Sequence, residues 1–304
     1  MRRLADVLKK RNIPHASNVK GSTLTTIGIG GVLPLVICPT CVGELIESVE
    51  LCESLGVPYA VIGQGSNLLI RDLPGRLAII QTTALDAFAR ISKDRFWSLC
   101  GVPLIKLCAA AAKQGFADLA FACGIPGSVG GAVFMNAGAY GGELGNSVEC
   151  VEVYDPRLRE IRTIFNKELS YSYRNCLLQA KKLVVLSVTL YMKNVGDPEE
   201  ILQRMRGINA RRRAAQPLEL PSAGSAFKRV SPTVSTAKLI ADAGLAGLRI
   251  GGAQISEKHT GFIVNVGGAT ARDVCELIRV VQDRLEKEYG CRPDPEIRFL
   301  PEDI

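Results

Sequence analysis

The sequence predicts an α+β fold of two or three domains. Three observations carry this: a β-α-β pattern near the N-terminus, Val/Leu/Thr-rich strands in the middle, and two uncharged glycine-rich segments. At 304 residues the chain is long for one domain. Residues 1–30 hold a short basic helix and then the turn-rich Thr25–Gly31. Leu33–Cys38 reads as a strand. Val42, Leu45, Ile46, Val49, Cys52 and Leu55 recur at helical spacing until Gly56 stops the helix, and Tyr59–Ile62 is the next strand. The two strands of this unit should be parallel, with a right-handed crossover. Leu68–Asp72 and Leu77–Gln81 are short strands, and Pro103–Gly115 is an Ala-rich helix. Val148–Tyr154 and Leu183–Tyr191 read as strands. Asp197-Pro198-Glu-Glu200 opens a helix running to about Arg213: an N-cap aspartate, proline at the first helical position and acids in the first turn. Gln216–Ser222 is a linker. A helix near Ser235–Ala243, a strand at Phe262–Val266, an amphipathic helix from Thr270 to Gly290 and a strand at Glu296–Leu300 complete the chain.

Bulk composition narrows the function classes. Hydrophobic residues make up 47% and charged residues 22%, which fits a globular protein with a large core and argues against disorder. Windows 21–43 and 119–142 carry no charge, but glycine and proline interrupt both, so neither predicts a membrane-spanning helix. The net charge of +7 suits an anionic small ligand or a mildly basic surface. Arg211–Arg213 is the longest basic cluster, too short to predict a nucleic-acid partner. The ten cysteines sit mostly in apolar segments, and no signal peptide opens the chain. A reducing cytoplasm is therefore expected. Cys38-Pro-Thr-Cys41 has metal or redox spacing but no second cysteine pair or nearby histidine, so plain packing is the reading and no metal is expected.

The chemistry lies in the glycine segments. Gly124–Gly142 packs seven glycines into nineteen residues, and Gly63-Gln-Gly-Ser-Asn67 directly follows the strand Tyr59–Ile62. Glycine lets backbone approach a ligand closely, and rows of backbone N–H groups bind diphosphate without basic side chains. A Rossmann fingerprint needs a third glycine and an ensuing helix. Here position 68 is Leu and another strand follows. A flavin dinucleotide held between two α+β subdomains fits better.

Five motifs in order carry a family resemblance: Val61–Ile70, Gly124–Gly138, Ser172-Tyr-Arg174, Ala223-Gly-Ser-Ala-Phe227 and Pro295-Glu-Ile-Arg298. Over about residues 20–300 the chain resembles the shorter class of the UDP-N-acetylenolpyruvoylglucosamine reductase family. The resemblance implies a two-subdomain FAD-binding module of the vanillyl-alcohol-oxidase type plus a C-terminal α+β substrate domain. It places the first subdomain at 1–82, joined by a C-terminal strand at about 296–304, the second at 83–206, and the substrate domain at 207–295. It implies non-covalent FAD, NADPH as co-substrate, and reduction of the enolpyruvyl group of a UDP-sugar on the way to peptidoglycan. A cytoplasmic monomer with no nucleic-acid or membrane partner is expected.

By the same resemblance, Arg174 clamps the substrate carboxylate, Ser225 donates a proton and Glu296 is a second electrostatic partner. The cofactor contacts implied are Gly63, Gln64, Gly65, Ser66, Asn67, Leu68, Gly124, Ile125, Pro126, Gly127, Ser128, Gly130, Gly131, Asn136 and Gly138. The substrate contacts implied are Tyr173, Arg212 and Arg229. The chain departs from the usual family pattern at Leu24, Gly28 and Val32-Leu33-Pro34, at Lys228-Arg229-Val230 and at Cys176. His259 is assigned no role. Two rivals remain: a sugar or alcohol oxidase of the same fold, often carrying covalent flavin, and a non-catalytic nucleotide- or nucleic-acid-binding protein.

Overall fold

The computed structural model describes residues 1–231 and 233–301. In chain order the elements begin with α1 (Arg2–Lys10), β1 (His15–Lys20), β2 (Val32–Ile37), α2 (Val42–Ser54), β3 (Tyr59–Ile62), β4 (Leu68–Ile70), β5 (Ala78–Gln81), β6 (Phe88–Arg90), β7 (Arg95–Leu99), α3 (Leu104–Lys113) and α4 (Val129–Phe134). Then come β8 (Gly138–Ala139), β9 (Gly142–Glu143), β10 (Val148–Asp155), β11 (Glu160–Phe165), α5 (Asn166–Leu169), α6 (Leu177–Lys181), β12 (Val184–Tyr191) and α7 (Pro198–Ala215). The chain closes with β13 (Ser222–Ser225), α8 (Thr236–Asp242), β14 (Arg249–Ile250), β15 (Ala253–Ile255), β16 (Phe262–Asn265), α9 (Ala271–Tyr289) and β17 (Arg298–Leu300). No helix among the described residues is long and apolar enough to cross a membrane.

The chain divides into two compact units. One comprises Met1–Ala16, Leu35–Gln64 and Ala78–Arg212; the other comprises Ser17–Pro34, Gly65–Leu77 and Arg213–Ile304. The predicted β-α-β unit lies in the first. Both β2 and β3 run parallel to β5, which sits between them, with Leu35 and Tyr59 each opposite Ala78. The two strands are thus parallel to each other, but not neighbours. An antiparallel sheet of order β11-β10-β12-β7-β6 completes this unit. One apolar core, from Leu4 through Phe96 and Val188 to Ile208, joins the two sheets to helices α1 to α4 and α7.

The glycine segment Gly124–Gly142 is not irregular throughout: α4 forms inside it. Its sequence, Val-Gly-Gly-Ala-Val-Phe, has poor helix propensity. Tertiary contacts override this. The Ser128 hydroxyl caps the helix by accepting from Gly131 N–H at 3.4 Å, and Gly130 lies so close to Cys100 that a Cβ would stand 2.7 Å from the Cys100 Cβ.

In the second unit, the antiparallel sheet β13-β16-β15-β14 is covered by α8 and α9, and β17 pairs in parallel with β4. Helix α9 buries the predicted stripe Val274, Leu277, Ile278, Val281 and Leu285 at 0–4% exposure. Its ends also match: Thr270 and Asp273 form a capping box, and Gly290 closes the helix with φ +65°. The predicted strand at Leu68–Asp72 is shorter than expected, ending at Ile70. Residues 302–304 of the expected closing strand lie outside the described residues.

Candidate active site

In the first unit, strand β3 delivers Gly63 and Gln64 to the start of α4. Gly63 has no room for a side chain: a Cβ would stand 2.0 Å from the Ser128 Oγ. The two predicted glycine segments therefore meet here, backbone against serine. Ser128 is 2% exposed. Its neighbours anchor the segment, with Val129 N–H donating to Val102 O at 2.8 Å and Gly130 N–H to Cys100 O at 2.8 Å. The backbone N–H groups of Gly63, Gln64, Gly127 and Ser128 donate to no acceptor among the described residues. Backbone N–H groups without a protein acceptor can take phosphate oxygens.

Behind this segment stands α7. Gly124 is pressed against it, since a Cβ would lie 2.6 Å from Asn209 Oδ1 and 2.8 Å from Arg212 Cδ. Arg212 is half-buried, and burial pulls its guanidinium below the usual arginine range. No carboxylate pairs with it among the described residues. Arg211 instead stacks on Tyr140 at 5.3 Å. Ile125 is held by its N–H on Ala122 O, and Pro126 is exposed. Gly131 spends its N–H on Ser128.

Arg174 projects from a tight turn in which Ser172 and Asn175 exchange both backbone bonds, at 3.0 and 3.1 Å. Its own φ is +55°, in the left-handed region. Nη2 donates to Gly138 O at 2.9 Å and Nη1 to Asn136 O at 3.4 Å, and the guanidinium lies over the Tyr173 ring at 4.9 Å. Asn136, which the resemblance implies as a cofactor contact, lies beneath this turn. It is 0% exposed, and its amide is committed inside the protein to Ser172 O, Glu143 and Gly145 N–H. Gln179, which the sequence reading missed, donates to the carbonyl of Arg174.

In the second unit, Gly65 is buried at φ +65°, and a Cβ would lie 1.9 Å from Leu24 O. The departure at Leu24 thus leaves the backbone contact intact. Thr26 donates its N–H to Gly65 O and its hydroxyl to Ser222 O at 2.7 Å and Ser66 O at 3.5 Å. Leu68 sits in β4 opposite Arg298 of β17. Asn67 bridges to the same terminus, with Nδ2 on Glu296 O at 3.0 Å. Glu296 N–H in turn donates to Ala226 O at 2.8 Å, beside Ser225. Ser225 and Glu296, 71 positions apart in sequence, are therefore brought together on adjacent backbone runs.

Ser225 ends the irregular edge strand β13, opposite Phe262, and is half-buried. Its hydroxyl donates to no acceptor among the described residues. Arg229 is exposed, beyond this strand. His259 accepts the Gly261 N–H at Nδ1 and meets Phe262 edge-on at 5.0 Å, and burial lowers its pKa. No cluster of three metal-ligating residues occurs among the described residues.

Comparisons with known proteins converge on one family. An FAD binding domain model matches residues 33–162, and the model of the UDP-N-acetylenolpyruvoylglucosamine reductase C-terminal domain matches 216–300. The reductase of that name from Clostridium botulinum is 42% identical over 92% of this chain and 90% of its own length. That of Caldicellulosiruptor bescii is 41% identical over 97% and 93%. A crystal structure of the Thermus caldophilus reductase aligns with a TM-score of 0.79 at 34% identity, over 95% of this chain and 99% of that one. The α+β fold with an FAD-binding module and a C-terminal domain, the glycine-lined N–H rows and these matches together place the chain in the UDP-N-acetylenolpyruvoylglucosamine reductase family.

Proposed function

We propose that Arg174, Ser225 and Glu296 carry out the substrate half of an FAD-dependent reduction. The enzyme reduces the enolpyruvyl group of UDP-N-acetylglucosamine enolpyruvate with NADPH, giving UDP-N-acetylmuramate for peptidoglycan synthesis. Bound FAD supplies the hydride chemistry between NADPH and the vinyl ether. The protein must hold the cofactor, fix the substrate carboxylate and deliver one proton.

The uncommitted N–H groups of Gly63, Gln64, Gly127 and Ser128 hold the FAD diphosphate. Their backbone character explains the glycines: a side chain at 63 would collide with Ser128. Arg174 binds the substrate carboxylate, on which negative charge grows as the double bond is reduced. A guanidinium suits this task because it stays charged and matches a carboxylate bidentately. The Ser225 Oγ–H gives its proton to the carbon next to that carboxylate. Glu296 is the electrostatic partner of the transferring proton, held by its N–H on Ala226 O and by the Asn67 side-chain amide on its carbonyl. Arg212, half-buried with no carboxylate partner among the described residues, and Arg229 and Tyr173 bind the anionic UDP-sugar.

The observation that carries this reading is the bond from Glu296 N–H to the carbonyl of Ala226, the residue after Ser225, at 2.8 Å. In domain terms we read 1–82 with the terminal strand and 83–206 as the FAD module, and 207–295 as the substrate domain. We further read the enzyme as a cytoplasmic monomer that binds neither nucleic acid nor membrane. Stopped-flow separation of the half-reactions tests the site. Arg174→Ala should slow transfer to substrate by about 10²–10³-fold, as for loss of a transition-state anion donor. Flavin reduction by NADPH should be preserved. A loss confined to flavin reduction overturns the assignment.

A further inference from the structure

Arg174 stands on a tight turn: its backbone is left-handed at φ +55°, and Ser172 and Asn175 exchange both backbone bonds across it. Two amide side chains from outside the turn fasten it. Asn136 Nδ2 donates to Ser172 O at 3.0 Å and to Glu143 Oε2 at 3.2 Å, while its Oδ1 accepts Gly145 N–H at 2.9 Å. That uses both amide hydrogens and one oxygen lone pair of a fully buried group. Asn136 also has φ +42°, a conformation asparagine tolerates better than most residues. Gln179 works from α6. Its Nε2 bridges Phe134 O at 2.7 Å, at the end of α4, and the carbonyl of Arg174 at 3.1 Å. The Tyr171 ring packs on Gly145, where a Cβ would stand 2.7 Å from it, and so seats the start of the turn on the same segment. The guanidinium then rests on Gly138 O and Asn136 O.

We propose that Asn136 and Gln179 form a two-armed amide brace that sets the guanidinium of Arg174, acting on catalysis only through that arginine. Both arms tie the Arg174 turn to the end of the glycine segment, so the carboxylate clamp and the cofactor cradle share one backbone. An amide fits both places because each must donate twice to backbone or carboxylate oxygens. Aspartate at 136 would face Ser172 O and the Glu143 carboxylate with no hydrogens. The proposal rests on the reading of Arg174 as the carboxylate clamp.

The test is a double-mutant cycle on the FAD-loaded enzyme, with the two half-reactions followed separately. Asn136→Asp and Gln179→Ala should each slow transfer to the enolpyruvyl substrate by about 10–10²-fold, the scale of a small misplacement of a catalytic group. Flavin reduction by NADPH should be unchanged. In an Arg174→Ala background neither substitution should slow transfer further. Asn136→Gln and Gln179→Asn should not restore the rate, since neither reaches the same pair of oxygens, whereas Gln179→Glu should be as slow as Gln179→Ala. Undiminished losses in the Arg174→Ala background would overturn the brace. So would Asn136→Asp and Gln179→Ala enzymes with wild-type transfer rates. If Arg174→Ala alone left transfer intact, the clamp itself would fall, a result distinct from additivity. Should Asn136→Asp fail to fold, the half-buried Gln179 decides the matter.

Discussion

Ser225 owes its position to backbone. The irregular edge strand β13 ends there, and Gly224 precedes it at φ +77°. The next residue is pinned on both sides, by Gly261 O at 2.7 Å and Glu296 N–H at 2.8 Å. The hydroxyl is thus placed without being consumed by an acceptor among the described residues. Replacing it with alanine should leave FAD binding and flavin reduction by NADPH intact. Net reduction of the vinyl ether should fall by about 10²–10⁴-fold, the scale of a lost general acid. A lost neutral hydrogen bond of about 0.5–1.5 kcal/mol would cost only about tenfold. Single-turnover product formation separates the two; a Ser225→Ala enzyme within about tenfold of wild type leaves the acid role to water or another group. The sequence order of Ser225 and Glu296 did not contain their proximity, which depends on the long-range pairing of 226 with 296. Nor did the sequence contain the burial of Asn136, whose amide bonds to Ser172 O, Glu143 and Gly145 N–H.

At the scale of elements, α9 was legible because its signals are local: Thr270 and Asp273 at one end, Gly290 at the other and a 3.6-residue apolar stripe between. Strand β11 was missed because it is an edge strand with one buried residue in six, so it shows no apolar alternation. Helix α4 was missed because its glycines speak against helix, and only packing on Cys100 explains them. The N-terminus of α9 carries a device the sequence did not reveal. Asp72, 199 positions away, accepts Ala271 N–H at 2.9 Å and Arg272 N–H at 3.1 Å. Asp72→Ala should therefore cost about 1 kcal/mol of stability, as for loss of a helix cap, read by denaturant unfolding. Asp273 adds a pH dependence. Bonds from Thr270 and Gly252 N–H hold its carboxylate below the usual 3.8. The group is then a better anion folded than unfolded. Its contribution is full above the ordinary carboxylate range and is lost as pH falls through the lowered value. The stability gap between wild type and Asp273→Asn should be widest at neutral pH and close in acid. A gap that stays constant from neutral pH to pH 3 would contradict this.

For the whole molecule, the cysteines connect sequence, burial and redox state. All ten are free. Cys52, Cys100 and Cys108 are buried in the core of the first unit, and desolvation pushes each thiol up to about 12. Thiolate is the reactive form, so burial suppresses reactivity twice, by excluding reagent and by holding the proton. Cys38-Pro-Thr-Cys41 fits the packing reading at Cys38, whose pKa is raised by burial rather than lowered as in a redox motif. Cys41 alone of the ten is exposed. Thiol titration should therefore give ten groups per chain in denaturant without added reductant. In the native state one group should react well before the others, and Cys41→Ser should remove that fast phase while leaving flavin content unchanged. Eight groups in denaturant would reveal a disulfide and refute the all-thiol assignment. A fast phase that survives Cys41→Ser would place a reactive thiol elsewhere, and Cys38, half-buried three residues away, would be the first to replace.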